Sequence, residues 1–307
     1  MTDATLTQGR STSPFAGLMS GTVGPVIVVV SAIMAIWYIA AVALNTPFQY
    51  DLYERAGQTD VSTSQLITDT LAQKKPVLPA PHQVVIEIYK TTVEKKITSK
   101  RSLIYHSGIT LSSTLLGFLI GTSLGILLAI GIVHSRVLDK SLMPWVISSQ
   151  TIPILAIAPM IIVVLNAVGI SGLLPKAMIS TYLSFFPVTV GMVKGLRSPE
   201  VIHMDLMHTY SATRLQAFWK LRLPYAVPYL FTSMKIGMAA SLVGAIVGEL
   251  PTGAVAGLGA RLLAGSYYGQ TIQIWSALLM AAFLAGSLVA LIGVIEKLTL
   301  KRMGMNR

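Results

Sequence analysis

The residues with chemistry to offer are few and scattered. Five histidines, His82, His106, His134, His203 and His208, are spread along the chain without a metal-ligand motif such as His-Glu-x-x-His. Only His203 and His208 are near neighbours, and a spacing of five splays them apart on a helix. There is no cysteine, and no glycine-rich Gly-Lys-Ser/Thr loop to cradle phosphates. Metal, nucleophile and nucleotide chemistry are all unsupported. What remains are polar groups inside strongly apolar stretches. Ser148-Ser149-Gln150-Thr151 is followed by Pro153 and Pro159, and Thr181, Ser184 and Thr189 stand in the next apolar run. Lys235 and Glu249 lie in a third. Such groups either line a cavity or hydrogen-bond between helices, and the sequence leaves both open.

The elements that carry these groups are set by composition. Hydrophobic residues make up 53% of the 307 and charged residues 11%, far below the charge needed to cover a water-facing surface. The chain is therefore read as an all-α polytopic membrane protein. The charge of +11 is assigned to topology and to anionic lipid, not to nucleic acid, because no arginine-rich run with interleaved aromatics occurs.

A crossing needs about 20 apolar residues. Six such stretches are found: about Val23–Leu44, Ile109–Val133, Met143–Leu165, Lys176–Val193, Tyr225–Leu250 and Ile272–Ile295. Gly117, Gly121 and Gly125, spaced by four, place a small-residue face on the second, read as an interhelical seam. The short loops holding Arg136 and Lys140, then Lys194, Arg197, Arg214, Lys220 and Arg222, then Lys297, Lys301 and Arg302, are basic, which puts both termini inside. The organisation expected is a cytoplasmic tail over 1–22, a first crossing over 23–44 and an extracytoplasmic connector over 45–106. A core of five crossings over 107–297 includes a cytoplasmic loop at 195–224, and a tail covers 298–307.

Within the connector, Lys74-Lys75-Pro-Val-Leu-Pro-Ala-Pro81 reads as extended, and His82 to Lys95 as a short amphipathic helix with Val84, Val85, Ile88 and Tyr89 on one face. In the cytoplasmic loop, Ser198-Pro199-Glu200 reads as a helix start with Ser198 capping and Pro199 at the first helical position. Two short helices then follow, broken near Tyr210-Ser211. Lys235 is near enough to the inner surface to snorkel. Glu249, with Arg261 or Lys176 as partner, either lines an outer gate or pins the loop after it. That loop, Pro251 to Gln270, reads as non-helical.

The cytoplasmic loop also carries a family resemblance. Asp205-Leu206-Met207, three residues, Ser211, nine residues, then Leu221-Arg222-Leu223-Pro224 resembles the EAA loop of ABC importer permeases, whose pattern is Glu-Ala-Ala, three residues, Gly, nine residues, Ile-x-Leu-Pro. The flanks from Gly195 to Glu200, Ala217 to Pro224 and Pro228 to Gly237, with Leu78-Pro-Ala-Pro81, are similar to the branch importing nitrate, sulfonates, taurine and thiamine pyrimidine precursors. The likeness covers residues 78 to 297. It departs from the pattern at Asp205, at Leu206 and Met207 in place of the alanines, and at Ser211 in place of glycine. Ser in a left-handed conformation there costs about 1 kcal/mol, or else the turn is an ordinary one.

The resemblance implies a type I importer permease in the bacterial inner membrane, with no catalytic residue and no metal of its own. A second permease copy and a cytoplasmic ATPase dimer holding ATP and Mg would assemble with it, and an extracytoplasmic solute-binding protein would deliver a small polar or anionic solute, sulfonate-, taurine-, nitrate- or pyrimidine-like. Coupling to the ATPase falls to Asp205, Ser211, Ala212, Thr213, Arg214, Leu215, Gln216, Phe218, Leu223 and Pro224. The pathway is assigned to Ser148, Ser149, Gln150, Thr151, Thr181 and Glu249. A secondary carrier or channel would instead need intramembrane relays or an inverted repeat, and a membrane enzyme would need a catalytic cluster.

Overall fold

The computed structural model describes residues 23–58, 60–250 and 256–305. The tail expected over 1–22 and the Pro251-Thr-Gly253 turn lie outside these. The chain divides into two units, 1–86 and 87–307.

In the first unit, α1 (Val23–Arg55) and α2 (Thr63–Leu71) are followed by the non-helical strap expected around Lys74–Pro79. The apolar stretch ends near Leu44 as read, but the helix does not. It runs on for three more turns and includes Pro47. Ala41, Asn45, Gln49 and Tyr53, each four residues from the next, form one buried stripe. The Asn45 side chain accepts from Val77 N at 2.7 Å and donates to Leu78 O at 2.8 Å. Gln73 Nε2 donates to Gln49 Oε1 at 2.7 Å, and Tyr53 Oη to Asp69 at 2.6 Å. Trp37 Nε1 donates to Pro79 O at 3.0 Å. Side-chain bonds thus satisfy the backbone of a strap that has no ladder or helix of its own.

The chain passes into the second unit within α3 (Pro81–Tyr89), which ends in a wide turn over Lys90–Glu94. Val84 is buried and Ile88 packs inward, whereas Val85 and Tyr89 are exposed, so the four apolar residues do not share one face. Next come α4 (Leu103–His134), α5 (Arg136–Ser148), a tight turn at Ser149–Thr151, α6 (Ile154–Ala167), α7 (Leu173–Leu196), α8 (Val201–Thr209), α9 (Arg214–Ala217), a wide turn over Phe218–Arg222, α10 (Leu223–Gly248), α11 (Leu258–Tyr267) and α12 (Thr271–Arg302).

Among the described residues five helices are long and apolar enough to cross a membrane, and the pair α5 and α6 makes a sixth crossing if it serves as one. The third span is no continuous helix. It is bent by 101° at its break, because Pro153 has no amide to donate and restrains Ile152 to extended backbone. The expected non-helical segment before Gln270 is also corrected: residues 258–267 form α11.

α7 is the centre of this unit, and small residues let its neighbours approach. The Gly117, Gly121 and Gly125 face of α4 lies on α7, where a Cβ on Gly117 would sit 2.6 Å from Ala177 O. From the other side Gly244 of α10 lies on α7, where a Cβ would be 2.7 Å from Ser180 Cα. Lipid gives helices no hydrophobic reason to associate, so close backbone packing and hydrogen bonds must hold them. Thr181 Oγ1 donates to Ala177 O at 2.8 Å and across the seam to Gly117 O at 3.2 Å, and Ser241 Oγ donates to Thr114 O at 2.8 Å. α12 packs on α10 and α11, with Leu288 and Ile292 meeting Phe231 and Met238, and continues as helix to Arg302, through the expected tail boundary at 298.

Candidate functional site

The loop between α7 and α10 is built from its capping chemistry. Ser198 is not the cap expected of it, since its hydroxyl donates backwards to Gly195 O at 2.7 Å. α8 therefore starts later, at Val201, with Glu200 in extended backbone as its N-cap. At the far end Ser211 N donates to His208 O and Ala212 N to Met207 O, both at 2.9 Å, the paired bonds that close a helix through a left-handed residue. That residue is Ser211, at φ +52°, the one non-glycine residue with positive φ among the described residues. It stands where the EAA pattern has glycine, so the break falls where expected and Ser211 adopts the left-handed option.

A new helix begins two residues later. Thr213 Oγ1 accepts from Gln216 N at 3.3 Å and Gln216 Oε1 accepts from Thr213 N at 2.9 Å, a reciprocal capping box. From Arg214 the backbone stays helical through Leu223 and Pro224 to Gly248, 35 residues in all. The second half of the loop is thus the N-terminal extension of α10 itself.

Side chains on this loop divide into two sets. Asp205, Thr213, Arg214 and Gln216 are exposed, Ala212 is half-buried, and Leu215 is 68% exposed. Phe218 turns the other way. It is 7% exposed, in a cluster with Ala129, Ile132, Met192, Val193, Leu196 and Ala226, with Leu223 packed against it. Its ring meets His134 edge-on at 5.2 Å. At the loop's root Arg197 pairs with Asp139 of α5 at 2.8 Å.

The candidate pathway residues separate as well. Ser148, Gln150 and Thr151 are exposed and Ser149 is half-buried at the break between α5 and α6, where the Tyr182 hydroxyl donates to Ser149 O. Thr181 lies in the α4–α7 seam described above. Ser184 Oγ donates to Thr181 O at 3.3 Å, and Thr189 Oγ1 to Phe185 O at 2.8 Å, so these hydroxyls are engaged with backbone. Glu249, just past α10, is fully buried.

A family model described as the inner membrane component of binding-protein-dependent transport systems matches residues 121–305. The chain belongs to this family. It is a multi-pass inner-membrane permease subunit of an ABC transporter, a family that works with ABC ATPases and solute-binding proteins. Among its relatives is the formylaminopyrimidine transport permease protein of Halalkalibacterium halodurans, 32% identical over 60% of this chain and 68% of that one. The riboflavin transport system permease protein of Chloroflexus aurantiacus is 30% identical over 73% and 80%. A putative aliphatic sulfonates transport permease protein of Bacillus subtilis is 24% identical over 73% and 78%.

Three features of the permease escaped the reading of its sequence. Lys235 does not snorkel alone but pairs with Glu296 of α12, one residue past the apolar stretch that ends at about Ile295. The helical run through Glu296 to Arg302 was the signal available. Neither Lys176 nor Arg261 forms an ion pair with Glu249 among the described residues; Lys176 Nζ donates to Ala256 O at 3.2 Å. The groups that do satisfy Glu249 include Thr110, distant by 139 positions, for which no local pattern exists.

Proposed function

We propose that two copies of this permease form one translocation pathway, each gripping an ATPase subunit through the exposed face of α8, the Ser211 turn and α9, while ATP and Mg are held by the ATPases. The observation that carries this reading is the lever itself: an exposed helix start at Arg214 and Leu215, continuous with a helix that crosses to Gly248. A push on Leu215 is delivered through the wide turn at Phe218–Arg222 into α10. Alternating access then needs only that the ATPases bind the two arrangements of the lever with different affinity.

The cargo we assign is a small, uncharged nitrogen heterocycle, of the kind named for the two relatives at 30% identity or more, in preference to an alkanesulfonate. The neutral donors and acceptors at the helix break, Ser148, Gln150 and Thr151, support this choice, because an anion crossing apolar surroundings calls for a cationic partner.

The test is reconstitution of the tagged permease with its co-purifying subunits in proteoliposomes. Hydrolysis stimulated by the loaded binding protein, and lost in Arg214→Glu with Leu215→Asp, is expected. A labelled formylaminopyrimidine should accumulate and an alkanesulfonate should not. Solute movement without any ATPase would sink the reading.

A further inference from the structure

α11 opens with three backbone amides that a helix leaves without internal partners, and each has a partner from elsewhere in this unit. Gly257 N donates to His106 Nδ1 at 3.0 Å, Leu258 N to Thr110 Oγ1 at 2.9 Å, and Gly259 N to Glu249 Oε2 at 2.9 Å. Because His106 Nδ1 accepts, its proton sits on Nε2, which donates to Lys100 O at 2.9 Å. The Thr110 hydroxyl passes its own proton to Glu249, at 2.9 and 3.0 Å from the two oxygens. One α10 residue and two α4 residues thereby hold the start of α11. Room for the carboxylate is made by the missing side chains: Gly257 has φ +127°, a Cβ there would fall on the Glu249 carboxyl, and a Cβ on Gly259 would be 2.8 Å from Glu249 Cβ.

Glu249 is 0% exposed and forms no ion pair among the described residues. Fold maintenance alone does not call for an acid at this point. A neutral cap of the Ser or Thr kind satisfies a helix start, and an isolated buried carboxylate is the most expensive of the alternatives.

We infer that Glu249 is a positioning residue that binds α11 to α4 and α10, so that α11 follows every displacement of the lever that begins at Arg214. This rests on the importer reading above. The helix from Arg214 to Gly248 spans about 50 Å at 1.5 Å per residue, and the Glu249 clamp stands at its far end. Movement imposed at the coupling loop therefore reaches α11 through one helix and one carboxylate.

The test uses the intact complex in nanodiscs and in proteoliposomes. Glu249→Gln keeps the volume, but it replaces the carboxylate by a neutral amide whose NH2 group takes the place of one of the two oxygens that face the Thr110 hydroxyl, so the bonds from Gly259 N and Thr110 weaken. Hydrogen exchange of the first α11 amides should speed up by about tenfold or more, the effect of losing one hydrogen bond to a charged group, while the α7 amides keep their protection. Stimulated ATP hydrolysis should continue, with solute delivered per ATP falling several-fold. Thr110→Val should reproduce both effects, and Thr110→Ser should restore both. Wild-type exchange and wild-type uptake per ATP in Glu249→Gln and Thr110→Val overturn the proposal, as does an equal fall of uptake, hydrolysis and yield of complex. If Glu249→Gln does not assemble, Thr110→Val decides alone. If no ATPase accompanies the wild-type permease, the importer reading fails, and hydrogen exchange on the permease by itself still decides the clamp.

Discussion

Leu215 and Phe218 are three residues apart on the same short helical stretch and should fail in opposite ways. Phe218 is 7% exposed, and its cluster includes Ala129 and Ala226, side chains too small to close over a cavity. Truncation to Ala should cost about 3–5 kcal/mol and lower the thermal midpoint of the purified permease by on the order of 10 °C. Leu215 is 68% exposed, so Leu215→Asp should shift that midpoint by no more than about 0.5 kcal/mol equivalent. It should instead weaken the grip of the ATPase by about 2 kcal/mol, the level of an interface hot spot, or roughly thirtyfold in dissociation constant. The assays are thermal unfolding of the permease in detergent and the amount of ATPase retained on tagged permease as that subunit is diluted. The reasoning is refuted if Leu215→Asp melts early, or if Phe218→Ala releases ATPase while leaving the midpoint unchanged.

Two further outcomes follow from backbone geometry. At φ +52°, Ser211→Gly removes a Cβ conflict of about 1 kcal/mol while freeing the unfolded chain by nearly as much; transport should stay at the wild-type level. Ser211→Val, β-branched at a left-handed position, should misalign α9 and lower stimulated hydrolysis about tenfold. Gly244→Ala would put a Cβ 2.7 Å from Ser180 Cα, a backbone atom that cannot yield, and should destabilise the purified permease by about 1–3 kcal/mol. Gly286→Ala, with open space at that position inside α12, is the matched control and should melt no lower than wild type, raised by up to about 1 kcal/mol equivalent.

What could be read from the chain was whatever the bilayer or a local backbone rule dictates. Apolar runs had to be helices because lipid leaves a backbone no other partner, and glycines every four residues on α4 had to mark a close approach. The break at Tyr210-Ser211 followed from the spacing of the EAA-like pattern. Partners distant in sequence could not be read. The stripe Asn45, Gln49 and Tyr53 looks like the start of a soluble connector, yet it prolongs α1 because its bonds go to residues around 69–78. Ser198 has the right type and place for a cap, but Gly195 O captured its hydroxyl. α11 was hidden by its own glycines, which lower helix propensity; of those at its start, Gly257 and Gly259 lie against Glu249.

The few charges engaged inside the second unit stand at joints between helices. Arg197 and Asp139 tie the loop root to α5, Lys235 and Glu296 tie α10 to α12, and Glu249 ties α11 to α4 and α10. The seams of α4 and α10 against α7 are made instead of glycine, serine and threonine. This division has a mechanical meaning. A seam of small residues holds by contact and by weak hydroxyl bonds, many of them satisfied within their own helix, so sliding by a fraction of a turn forfeits little. The buried Glu249 joint loses hydrogen bonds that nothing nearby replaces if it slips, whereas the exposed Arg197–Asp139 pair is screened by solvent and holds its joint more weakly. Under the proposed alternation, displacement should concentrate where α7 meets its neighbours, while α4, α10, α11 and α12 travel together. The break at Ser148–Thr151 is held to α7 by the Tyr182 hydroxyl and to the loop root through Asp139 on α5, so under the same proposal it should move with α7 and not with α10.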